Sequence, residues 1–82
     1  MNRTQFIWDK DATTPPRWRC FVGPFELYVY EDGTWGVFDN RCLAEWMGQP
    51  RARGQAPSLA SGQQRALAAY KLVKKLRSIE NG

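Results

Sequence analysis

The chain has 82 residues, no histidine, two cysteines and a net charge of +4 from 12 Lys and Arg against 8 Asp and Glu. That length allows one small domain with a thin core, burying about 60–65% of the unfolded surface. The composition excludes a histidine-based active site or metal centre, and the mild basic excess argues against an imitation of the DNA backbone.

Residues 1–16 are read as an N-terminal tail, and residues 17–82 as a single small α+β domain. The Phe6-Ile7-Trp8 cluster is expected to anchor the tail on that domain, for instance as a short edge strand; a disordered leader is the alternative. Thr13-Thr14-Pro15-Pro16 then blocks helix and any central strand.

Arg17 to Gly23 alternates as a strand, with Trp18, Cys20 and Val22 on one face and Arg17, Arg19 and Phe21 on the other. Gly23-Pro24 marks a turn. Phe25 to Tyr30 is the next strand, and Thr34 to Phe38 its hairpin partner across Asp32-Gly33. Two registers compete. A two-residue loop sets Tyr30 opposite Trp35 and joins Tyr28, Tyr30, Trp35 and Val37 on one face. A three-residue Glu31-Asp32-Gly33 loop sets Val29 opposite Trp35 and Leu27 opposite Val37. The second is favoured because it gathers Phe25, Leu27, Val29, Trp35 and Val37 on one apolar face and leaves Glu26, Tyr28, Tyr30, Thr34 and Phe38 outward.

Asp39-Asn40-Arg41 is a turn. Cys42 to Met47 reads as a fourth strand, with a short helical turn as the alternative, and Gly48 to Pro57 as a loop carrying Arg51 and Arg53. A helix opens at Ser58 or at Ser61, where Ser61-Gly62-Gln63-Gln64 fits a capping box, and runs to about Ile79. Its apolar stripe is Ala66, Ala69, Leu72, Val73, Leu76 and Ile79. Gln64, Lys71, Lys74, Lys75, Arg77 and Ser78 lie opposite, Tyr70 on the border, and Leu67 on the polar side. The expected fold is a three- to four-stranded antiparallel sheet with one C-terminal helix packed on one face.

No arrangement of nucleophile and base, phosphate loop or metal-ligand spacing is present, so an enzyme, a metal or a cofactor is not expected. Cys20 and Cys42 read as small buried hydrophobes, with a disulfide as the alternative. No apolar run is long enough for a membrane span or signal peptide, which implies a cytoplasmic protein. The candidate partner-binding residues are Tyr28, Tyr30, Phe38, Arg19, Arg51 and Arg53, since aromatic rings interleaved with arginine suit a protein hot spot or stacked bases. Lys71, Lys74 and Lys75 are the candidate phosphate contacts, against the plainer reading of a solvated helix face.

Glu31-Asp32-Gly33-Thr34-Trp35, a sheet and an Ala-rich helix resemble the arm-binding domains of phage-type integrases, which lay a three-stranded sheet into the DNA major groove. Strands followed by Ala66-Leu-Ala-Ala-Tyr-Lys-Leu72 resemble double-stranded-RNA-binding domains, although the helix opens Ser58-Leu-Ala-Ser-Gly62 and lacks that family's Lys-Lys start. In size and style the whole chain resembles small phage and prophage proteins of the anti-CRISPR kind. That likeness implies a non-enzymatic inhibitor or accessory factor that occludes a protein partner, such as a nucleic-acid-handling complex. A nucleic-acid-binding domain using the aromatic sheet face and basic helix is the alternative, and a homodimer through that face a further option.

Overall fold

The computed structural model describes residues 6–42, 45 and 47–81. It is an α+β domain with β1 (Asp9–Asp11), β2 (Arg17–Val22), β3 (Phe25–Tyr30), β4 (Thr34–Asp39), β5 (Ala52–Gln55) and α1 (Leu59–Asn81). The five strands form one antiparallel sheet in sequence order, each paired with the next. The sheet thus has five strands rather than the expected three or four.

The hairpin takes the three-residue register. Val29 opposes Trp35, Leu27 opposes Val37 and Phe25 opposes Asp39. Gly33 supplies the left-handed residue at φ +95°, and its N–H donates to the Tyr30 carbonyl at 2.9 Å. Leu27, Val29 and Val37 are fully buried beneath α1, with Cys20 and Phe25 beside them. Trp35 lies on this same inner face, half-buried, with its ring against Gly54 of β5.

The two added strands sit at the edges. β1 pairs with β2, Asp9 opposite Arg19 and Asp11 opposite Arg17. Just before it, Phe6 and Trp8 pack against the core, and Phe6 meets Tyr70 edge-on at 5.9 Å between ring centres. β5 arises from the segment read as loop. Its partner is β4, from Thr34↔Gln55 to Val37↔Ala52. The Arg51 N–H donates to Val37 and the Ala56 N–H to Gly33, clamping both ends of the strand. Arg53-Gly54-Gln55 has little intrinsic strand preference. It pairs because the open edge of β4 offers backbone partners, and because a Cβ on Gly54 would stand 2.8 Å from the Trp35 ring.

The strand expected over Cys42 to Met47 does not form at the described residues. Asn40–Cys42 is instead one turn of 3₁₀ helix. Asp39 starts it: its Oδ1 accepts the Arg41 backbone N–H at 3.1 Å, a side-chain turn that competes with strand continuation. Leu43, Ala44 and Trp46 lie outside the described residues. Both cysteines are free and buried.

The helix takes the earlier of its two start signals. Ser58 Oγ accepts the Ser61 N–H at 3.2 Å, capping a helix whose first residue is Leu59. Its inward face differs from the expected stripe. Ala66, Tyr70 and Val73 are buried, Leu67 packs against the core, and Leu72 and Leu76 are 58% and 42% exposed. The helix is rolled so that Tyr70 points down, where its ring meets Phe25 at 5.2 Å and Phe6 at 5.9 Å. The side chains of Arg77, Ser78 and Ile79 lie outside what the structure describes.

Candidate functional site

Strand alternation sends every second side chain to the face away from α1. From one edge of the sheet to the other, that outer face carries Asp9 and Asp11, then Arg17, Arg19 and Phe21, then Glu26, Tyr28 and Tyr30, then Thr34, Gly36 and Phe38, then Arg53 and Gln55.

Three rings make its centre. Tyr28 lies between Tyr30, at 5.7 Å and nearly perpendicular, and Phe38, at 5.5 Å and tilted by 37°. Gly36 stands opposite Tyr28, and a Cβ there would come to 2.4 Å of the Tyr28 ring. The tyrosine therefore lies flat across the backbone of β4 rather than standing away from it. All three rings are half-buried, and Phe21, one strand away, is 56% exposed. Burial, with the neighbouring Tyr30 second, raises the Tyr28 phenol above its ordinary pKa. The ring is thus a neutral group with one hydroxyl.

The charges around this cluster are largely committed. Asp11 accepts from Arg17 Nη2, and Arg19 Nε stands 3.3 Å from the same Asp11 oxygen. The hydrogen bond from Arg17, with the charges of both arginines adding to it, holds the Asp11 carboxyl below its ordinary range against an opposing desolvation. The Arg19 guanidinium also lies 5.2 Å from the centre of the Phe21 ring. On the far side, Arg53 is exposed on β5 opposite Gly36. Beside Phe38 an open groove of about 230 Å³ is lined by Glu26, Phe38, Asn40 and Gly48.

Of the residues singled out from the sequence, Tyr28, Tyr30, Phe38, Arg19 and Arg53 thus share one face. Arg51 does not act with Arg53: its Nη1 approaches the buried Cys42 Sγ at 3.9 Å. Lys71, Lys74 and Lys75 are exposed on α1, across the sheet from the tyrosines, with Lys74 lying 6.0 Å from the Tyr70 ring. The tyrosines and these lysines therefore lie on opposite sides of the sheet. The sequence places Arg17 and Glu26 on this face without naming them as contact residues; it does not place Asp11 and Gly36 there. Opposite charges at alternate positions, Asp9 and Asp11 against Arg17 and Arg19, are the signal that an antiparallel pair was there to be found.

Among the described residues no group of His, Cys, Asp and Glu is placed to hold a metal ion, and no helix is long and apolar enough to cross a membrane. Comparison with protein-family models, with curated proteins and with solved structures finds no match to this chain.

Proposed function

We propose that this chain is a non-enzymatic binding protein that occludes a protein partner with the outer face of its sheet. The observation that carries this reading is the contiguous Tyr28–Tyr30–Phe38 cluster, half-exposed on the face that α1 leaves and flanked on its β1–β2 side by the paired charges of Asp11, Arg17 and Arg19. Protein hot spots have this anatomy: aromatic anchors at the centre and a polar rim that costs little to cover. A phosphate-binding surface calls for cations free to meet phosphates, whereas here Asp11 holds two of the three outer-face arginines. Reading the chain as a phage-type inhibitor or accessory factor follows from the resemblance in size and style to anti-CRISPR proteins.

The test is capture from host lysate by the wild-type chain, by Tyr28→Ala/Tyr30→Ala and by Lys71→Gln/Lys75→Gln, with circular dichroism as the check on folding. A specific protein recovered by the wild type and the lysine variant, and lost by the folded tyrosine variant, is the expected result. Undiminished recovery by the tyrosine variant removes this face as the site.

A further inference from the structure

Strand register builds a second feature at one end of the outer face. Phe21, Glu26 and Phe38 are cross-strand partners on β2, β3 and β4, so their side chains leave the sheet in one row. A carboxylate thus stands between two phenylalanines, at the wall of the groove that Phe38, Asn40 and Gly48 also line among the described residues.

Glu26 forms no ion pair among the described residues, in contrast to Asp11 and Asp39. Arg41, next in sequence to Asn40, is held elsewhere. Its Nε and Nη2 bind the two oxygens of buried Asp39 at 3.0 and 3.1 Å, and its guanidinium lies over Phe25. An apolar plug in the groove would cover the Glu26 carboxylate without a partner, which is costly. A cation would remove that cost and use the ring wall as well. The neighbouring strand already carries such a contact, Arg19 over Phe21.

We infer that this groove takes an arginine side chain of the protein partner, its guanidinium forked onto the Glu26 carboxylate and stacked on Phe38. Arginine fits better than lysine because one flat group serves both contacts at once. Asn40, exposed at the rim, adds an amide oxygen that can accept a remaining N–H. The inference rests on the reading of the outer face as a protein-contact surface and names the partner's anchor chemistry. It also gives a chain of net charge +4 a local means of accepting a basic residue.

The probe is N-acetyl-arginine methylamide, titrated at low salt into the full ¹⁵N-labelled chain, with the uncharged citrulline analogue as control. Saturable amide shifts centred on Glu26, Phe38, Asn40 and Gly48 are expected with the arginine compound in the millimolar range, and none with citrulline. Glu26→Gln, nearly isosteric and on the surface, should abolish them. Phe38→Leu, which keeps an apolar wall and removes the ring, should weaken binding several-fold. Equal shifts with citrulline, unchanged binding by Glu26→Gln, or shifts scattered over Asp9, Glu31 and Glu45 would overturn the inference. The outcomes are separable from the face itself. Probe binding lost while capture still depends on Tyr28 and Tyr30 removes the groove alone; retained probe binding with tyrosine-independent capture removes the larger reading.

Discussion

Gly62 sits four residues into α1, where glycine costs about 1 kcal/mol relative to alanine. Its value lies across the interface. A Cβ at this position would come to 2.6 Å of Val29 Cγ1 and 3.0 Å of the Gly33 carbonyl oxygen. The missing side chain is what lets the helix touch the hairpin and its turn. Gly62→Ala is therefore expected to lower stability by about 1–2 kcal/mol in chemical denaturation, since overpacking a tight contact outweighs the propensity gain. A more stable Gly62→Ala would mean that the helix lifts off Val29 without loss.

At the scale of the element, β1 is the strand most dependent on charge. It has three residues, two of them exposed, and its attachment to β2 runs through Asp11 to Arg17 and Arg19. The folded chain holds the Asp11 pKa below its unfolded value, chiefly through the Arg17 hydrogen bond. A depressed carboxylate pKa contributes stability above the unfolded pKa and loses it as pH falls through the folded one. Asp32, lowered by its bond from the Thr34 N–H, behaves likewise at the β3–β4 turn. On acidification below the ordinary carboxylate range, amide exchange at Asp9–Asp11 should rise before that of β3 and β4. Asp11→Asn should remove the pH dependence at β1 while leaving that of the turn. An acid profile at β1 identical in Asp11→Asn would show that the strand is held by its backbone ladder alone.

Across the whole molecule the sheet separates two chemistries. Aromatic rings and paired arginines face one way; Lys71, Lys74 and Lys75 face the other, beside the exposed Leu72 and Leu76. Any binding to mixed DNA or RNA is expected to be weak and confined to the helix. It should fall with salt at a slope near −0.7 to −0.9 per phosphate contact and disappear in Lys71→Gln/Lys75→Gln, with Tyr28→Ala/Tyr30→Ala without effect. Tight binding that depends on the tyrosines would favour the nucleic-acid reading over the protein partner.

What the sequence determined by itself is short-range. Glu31-Asp32-Gly33 and the period-two pattern on either side set the hairpin register, and with it the side of the sheet that Trp35 and the tyrosines take. Local capping chemistry narrowed the helix start to Ser58 or Ser61, and the fold takes Ser58. Turn chemistry and side-chain period act over a few residues, so both could be read from neighbours in the chain. The tertiary structure decided the rest. Ala52–Gln55 became a strand because β4 had an open edge and Trp35 needed a residue without a side chain beneath it. Tyr70 displaced Leu72 and Leu76 from the core because the space between Phe25 and Phe6 fits a ring, whereas a helical stripe ranks residues by polarity and is blind to shape. Asp11 reached Arg17 and Arg19, and Glu26 came to stand between Phe21 and Phe38, only through pairing across strands. The aromatic half of the candidate face was legible because alternation is local. Its charge balance and its groove were not, because they depend on which strands become neighbours.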